Sequence, residues 1–228
     1  MKYQYVWFDL GMTLVESSRS TIYQKVLHKY HIERTREEIS MAYHRTDKLF
    51  MKEYPHVLGT SEAYFMPWYI GNLNYFLNIQ WNILEVYQHL KEERLKEGSG
   101  WQRIPEAISV LTEIRRKGIK TGLISNWDSS CRKVLEENQL LDLLDTVVVS
   151  SEMGIEKPQK EIFEAAFLKG QTSAEKSLYV GDNYYDDVVG SRAVDMDCIL
   201  INPYGREGIE EINFDNIVPN ISGVLKYI

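Results

Sequence analysis

Cysteine is scarce. The 228-residue chain holds two, Cys131 and Cys198, far apart and in no metal-type spacing. That excludes a disulfide framework and fits two buried thiols in a reducing cytoplasm. No apolar run reaches the roughly 18 residues that a bilayer span needs. The first residues lead straight into a strand pattern, without the basic, apolar and small-residue succession of a secretory leader. Basic charge is also in deficit: 26 Lys and Arg stand against 33 Asp and Glu, for a net charge of -7. Such a surface has no broad attraction for nucleic acid or an anionic membrane, although a local basic pocket can still hold a phosphate. Low-complexity tracts and long internal repeats are missing too. These absences lead us to expect a soluble, cytoplasmic monomer or homodimer whose partner is a small molecule, with neither nucleic acid nor membrane among its partners.

What the chain does have is a core-forming 44% of hydrophobic residues and a marked first segment. Tyr5-Val6-Trp7-Phe8 reads as a buried strand that delivers one carboxylate, Asp9, and breaks at Gly11. A long helical stretch follows. Ile22, Val26, Leu27 and Tyr30 recur at helical spacing, and Thr35 with Glu38 forms a capping-box signature ahead of Ile39, Ala42 and Tyr43. Residues 61 to 79 and 82 to 97 supply two more amphipathic segments, with Pro67 expected to start or kink the first. So many helices between one strand and the next exceed a single crossover, which predicts an inserted helical domain over residues 16–99. Glu97-Gly98-Ser99-Gly100 reads as the linker that closes it.

The remainder alternates. Pro105 to Lys117 predicts a helix capped by Gly118, and Ile119 to Ile124 a strand. Helices near 129–138, 159–169 and 187–194 then precede the strand patterns Thr146–Val149, Ser177–Val180 and Cys198–Ile201, and a last helix is expected near 216–226. Strands alternating with short helices predict an α/β fold, a doubly wound parallel sheet formed by residues 1–15 and 100–228.

Four of these strand patterns release polar groups: Asp9 with Thr13, then Ser125-Asn126, then Lys157-Pro158 after a short loop, then Gly181-Asp182-Asn183 with Asp186 and Asp187. In a parallel sheet all strand carboxyl ends share one edge, so these groups can converge. Their order and setting resemble the haloacid dehalogenase superfamily, in the subclass with a helical cap between its first and second motifs. The resemblance covers almost the whole chain, and it implies a Rossmann-like core and a Mg2+-dependent phosphohydrolase acting on a small phosphorylated metabolite. Asp9 is then the nucleophile that takes the phosphoryl group, and Lys157 offsets charge on the transferring oxygens. Thr13, Ser125, Asn126 and Lys157 hold the phosphate. Asp9, the Gly11 backbone carbonyl, Asp182 and either Asp187 or Asp186 hold the metal, with hard oxygen ligands suited to Mg2+.

One departure matters. The first motif of the family is Asp-x-Asp-x-Thr, and this chain has Gly11 at the second Asp. That Asp is the family's general acid and base, so Gly11 implies that phosphate and metal binding persist while proton transfer is lost or relocated. Glu16, the cap histidines 28, 31, 44, 56 and 89, and Lys25 or Lys29 are the relocation candidates. Two other readings stay open: an enzyme of this family that cleaves phosphonates or 2-haloacids, and a non-catalytic protein of the same fold that binds phosphate and metal.

Overall fold

The computed structural model describes every residue except Met1, Thr60 and residues 97–99. The first three residues of the expected linker therefore lie outside the described residues. The chain divides into two compact units. One comprises Met1–Glu16, Gln102–Arg206 and Glu211–Ile228; the other comprises Ser17–Trp101 with Glu207–Glu210.

The first unit is built on a six-stranded parallel sheet. Its strands are β1 (Tyr5–Phe8), β4 (Lys120–Ser125), β5 (Thr146–Val149), β6 (Ser177–Gly181), β7 (Asp197–Ile201) and β8 (Ile217–Val218), in the order β5-β4-β1-β6-β7-β8. The strand sequences are nearly continuous apolar runs because helices cover the sheet, and every residue of β1 is buried. From β1 the chain goes out to β4 and β5 on one side, then crosses back to β6, β7 and β8 on the other. Strand order therefore reverses beside β1, the point at which open parallel sheets bind ligands beyond their carboxyl ends. Phe8 stands level with Leu123 of β4 and Val180 of β6. Asp9 thus leaves the sheet between the ends of both neighbours.

Two large rings on β1 show how the interior is fitted. Tyr5 and Trp7, two residues apart on one face, stack at 4.2 Å with planes 8° apart. Their polar atoms find partners: Tyr5 donates to Thr146 Oγ1 (2.7 Å) and Trp7 Nε1 to Ser177 Oγ (3.4 Å). The rings fit because Gly122 of β4 lacks a side chain, a Cβ there falling 2.5 Å from the Trp7 ring.

The second unit holds α1 (Arg19–Lys29), α2 (Arg36–Glu53), α3 (Glu62–Phe76) and α4 (Ile83–Arg94). The expected capping box is present: Glu38 N donates to Thr35 Oγ1 and Thr35 N to Glu38 Oε2. Asn82 caps α4. Pro67 lies inside α3, past its first turn. Ile22, Leu27, Ile39, Phe50, Tyr69 and Leu73 belong to this unit's own apolar core, while Tyr64, Trp68 and Tyr75 of α3 are exposed. Arg19 pairs with Asp47 and lies over the Tyr43 ring at 4.5 Å. The short segment from Glu207 joins this unit through α2, with its carbonyl 2.9 Å from His44 Nε2. β2 (Val15–Ser17) and β3 (Trp101–Arg103) form a separate two-stranded sheet, and two of the four chain crossings between the units fall within these strands.

Two expected helices differ. The helix near 187–194 is a π-helical turn, Tyr184–Val188, followed by a short α-helix, Val189–Arg192. Asn183 caps this turn through Oδ1, which accepts from Tyr185 N and Asp186 N, so winding starts before Asp187. The helix near 216–226 is instead β8 followed by a 3-10 helix, Ile221–Tyr227. Pro219 explains it, because a residue before proline is driven to extended backbone and Val218 completes β8 there. Both cysteines are buried free thiols. Among the described residues no helix is long and apolar enough to cross a membrane.

Gly122→Ala would force a methyl group against a stacked, immobile indole, and we expect a loss of about 1–3 kcal/mol in unfolding free energy. Urea denaturation measures it; an unchanged midpoint would show that the Tyr5–Trp7 pair has room to move.

Candidate active site

The carboxyl edge of the sheet gathers charge around one buried ammonium. Lys157, 2% exposed, lies in the loop between the helices Ser150–Met153 and Lys160–Gly170. Its backbone is clipped in place by the residue that follows β4. Lys157 N donates to Asn126 Oδ1 (2.8 Å), and Asn126 Nδ2 donates to the Lys157 carbonyl (2.9 Å). From that anchor Nζ reaches Asp9 Oδ1 at 2.9 Å, Asp187 Oδ1 at 2.6 Å and Tyr179 Oη at 2.9 Å. Burial alone would push this ammonium toward its neutral form. The adjacent Asp187 and then Asp9 carboxylates outweigh that, and its pKa stands well above the ordinary lysine value.

Asp187 is fully buried and comes from the π-helical turn. Its Oδ2 accepts from Asn183 N at 2.9 Å. Burial raises its carboxyl above the usual range, with Lys157 opposing and Asp9 adding to the rise. The carboxylate lies directly against β6, since a Cβ on Gly181 would fall 2.0 Å from Asp187 Oδ2. Only a glycine admits it there. Asp9, Asp182 and Asp187 each bring one carboxylate oxygen to within 4.8 Å of the others, a set of hard oxygen donors that suits Mg2+ or a similar divalent cation.

Two hydroxyls complete the edge. Thr13 Oγ1, in the turn after β1, and Ser125 Oγ, on the last residue of β4, are both buried without a hydrogen-bond partner. A buried hydroxyl left unpaired costs about 1–3 kcal/mol, so an arriving ligand oxygen is favoured at both.

Comparison with known proteins accords with this arrangement. The family profile described as haloacid dehalogenase-like hydrolase matches residues 6–201. The chain belongs to this family. It is 29% identical over 130 residues to the bovine haloacid dehalogenase-like hydrolase domain-containing protein 3, an alignment covering 56% of this chain and 52% of that protein. This chain thus spans about half the length of that relative. It is 27% identical over 214 residues to a glyceraldehyde 3-phosphate phosphatase from Pyrococcus furiosus, covering 88% of this chain and 81% of the relative. In fold it resembles a HAD phosphatase from Thermococcus onnurineus, with a TM-score of 0.60, 20% identity and coverage of 100% and 97% of the two chains.

Against the family's motif order, the structure brings Asp9, Lys157, Asp182 and Asp187 together and sets others apart. Asp186 turns to Asn183, whose Nδ2 donates to its Oδ2 at 2.7 Å. Of the two adjacent acids, Asp187 is therefore the one that joins the cluster. Asn126, expected among the phosphate-binding groups, uses both ends of its amide on the Lys157 backbone. Gly11 forms an isolated bridge with Val15, in the turn that carries Thr13. Among the relocation candidates, Glu16 is exposed, Lys29 pairs with Glu93, and His44 meets the Glu207 carbonyl. Sequence reasoning missed Tyr179. A tyrosine in place of phenylalanine within a wholly buried strand is itself a signal, because its hydroxyl needs a partner.

Gly181→Ala is expected to displace Asp187 and weaken Mg2+ binding by about 10- to 100-fold, the usual scale for disturbing the support of a metal ligand. Calorimetric Mg2+ titration of both proteins checks this, and equal affinities would exclude Asp187 from the metal site.

Proposed function

We propose that this chain is a Mg2+-dependent phosphohydrolase that acts on a small phosphorylated metabolite through an aspartyl-phosphate on Asp9. The observation that carries it is the placement of Asp9: 2.9 Å from a buried ammonium and clustered with two further acids, on the edge where two buried hydroxyls have no partner. The relationship to a glyceraldehyde 3-phosphate phosphatase over most of both chains supports the same reading.

Asp9 is the nucleophile. One of its oxygens is held by Lys157, and the other forms a bond to phosphorus as the ester oxygen departs with the bonding electrons. Lys157 fixes the attacking carboxylate and faces the charge that builds on the phosphoryl oxygens. Thr13 and Ser125 donate hydroxyl hydrogens to those oxygens. Asp9, Asp182 and Asp187 would hold the metal, with the Gly11 backbone carbonyl assigned to it by resemblance. A divalent cation bound there supplies positive charge that offsets repulsion between a carboxylate and a phosphate anion. Water then attacks the aspartyl-phosphate, releasing inorganic phosphate and restoring Asp9. The helical insertion acts as the cap that selects the substrate.

Gly11 shapes the substrate range. With no carboxylate at that position, no side chain there protonates the departing oxygen, a service worth about 10²- to 10⁴-fold for poor leaving groups. Esters whose alcohols leave readily as anions need little such help.

Two tests follow. Turnover of p-nitrophenyl phosphate should require Mg2+, stop with a chelator, and fall at least about 10³-fold in Asp9→Asn, as expected when a nucleophile is removed. Metal-independent release, or release that survives in Asp9→Asn, would sink the proposal; inertness of the folded wild type would move the reading to phosphonate or haloacid cleavage or to a binding role. Separately, Gly11→Asp should raise turnover of an alkyl phosphate such as a triose phosphate more than that of p-nitrophenyl phosphate. Equal effects on both would mean that another group already supplies the proton.

A further inference from the structure

An ammonium has three protons, and around Lys157 each has a destination. Two go to carboxylates, Asp9 Oδ1 at 2.9 Å and Asp187 Oδ1 at 2.6 Å. The third goes to Tyr179 Oη at 2.9 Å. Tyr179 differs in kind from the other two partners, being neutral, fully buried in the middle of β6, and held from behind. Its own hydroxyl hydrogen is committed to the Ile124 carbonyl at 2.7 Å. A phenol with its one hydrogen so placed offers Lys157 only lone pairs. Burial and the neighbouring Asp187 also keep it firmly protonated. The Phe163 ring meets Tyr179 edge to face, with centroids 5.5 Å apart, and fixes the ring that carries the oxygen.

The direction of the chain Ile124 carbonyl, Tyr179 hydroxyl, Lys157 ammonium is therefore set at every link. From it we propose that Tyr179 is a positioning residue: it captures the third ammonium proton and so fixes the rotation of Nζ that points the other two at Asp9 and Asp187. No charged residue could do this equally well. A third carboxylate would draw the ammonium away from the nucleophile, and a residue without a polar atom would leave one N–H unpaired in a dry interior. Ile124 immediately precedes Ser125 on β4, so the same chain ties the ammonium to the strand end that bears a candidate phosphate hydroxyl. Tyr179 touches no reacting atom and acts through Lys157 alone.

The proposal deepens the phosphatase reading, and its test is a cycle of four proteins: wild type, Tyr179→Phe, Lys157→Met and the double variant. Each is first shown to be folded by thermal denaturation, then measured in Mg2+ for p-nitrophenyl phosphate turnover and for inorganic phosphate binding by calorimetry. Removing one hydrogen bond to a charged group should lower kcat/KM about 10- to 100-fold in Tyr179→Phe. In the Lys157→Met background the same change should have less than about a twofold effect, since the group it positions is gone. Multiplying losses would overturn the proposal, because a merely structural tyrosine costs as much without the lysine as with it. An unchanged Tyr179→Phe would overturn it too. If the wild type turns nothing over, the phosphatase reading fails, and the same cycle in phosphate affinity still decides the role of Tyr179; a wild type that binds no phosphate overturns both. Should Tyr179→Phe fail to fold, 3-fluorotyrosine at position 179 keeps the shape and weakens the acceptor. It should lower activity several-fold, and wild-type activity would count against the proposal.

Discussion

Everything at the carboxyl edge depends on holding one positive charge where water does not reach. An ammonium as buried as that of Lys157 loses several kcal/mol of hydration, and the loss is tolerated only where opposite charge and further hydrogen bonds replace the water. Asp187 and Asp9 supply the charge, and Tyr179 supplies the remaining acceptor. The dependence runs both ways. Asp187 is itself fully buried and needs the ammonium to remain ionised, while Asp9, the nucleophile of the proposed reading, has one carboxylate oxygen held by it. Removing either sign would leave the other stranded, so the group stands or falls as a unit.

The fold supplies this unit by placing small residues where charged ones must approach. Gly181 lets a carboxylate lie against the backbone of β6, and Gly122 leaves room for the stacked rings of β1. The π-helical turn after Asn183 contributes in the same way. A wider turn changes the angular step between successive residues, and of two adjacent acids it directs Asp187 inward and leaves Asp186 with Asn183. Parallel strand topology then brings residues from four distant segments to one edge without any long loop.

How much of this is legible in the sequence depends on how local each cause is. The strands, the parallel sheet and the helical insertion follow from apolar periodicity, and the capping box at Thr35 from four residues. That Asp9, Lys157 and Asp182 should meet follows from their places after strand patterns. The choice between Asp186 and Asp187 does not, since it turns on helix phase, and sequence patterns assume the ordinary α period. Asn126 is ambiguous for a related reason: a polar residue at a strand end suits a ligand and a backbone clip equally well, and only the position of the Lys157 loop reveals the clip. Tyr179 looks like core because most of it is core; one oxygen among its atoms has another task. The expected last helix fails on Pro219, whose effect falls on the residue before it.

Gly11 is then more than a missing acid. The three clustered carboxylates and one ammonium leave the edge two charges negative when all are ionised. On the proposed reading a divalent cation would bring that to neutrality before a phosphate arrives. An aspartate at position 11 would add a negative charge facing an incoming dianion when ionised, and would supply a proton only when neutral. Glycine removes both forms, and with them the repulsion of the one and the proton of the other. On the proposed reading the two effects act on different steps, capture on kcat/KM through binding and proton transfer on the bond-breaking step. On that reading the chain is matched to substrates whose leaving groups depart readily as anions, and chemical selectivity of that kind needs no contact between the cap and the leaving group.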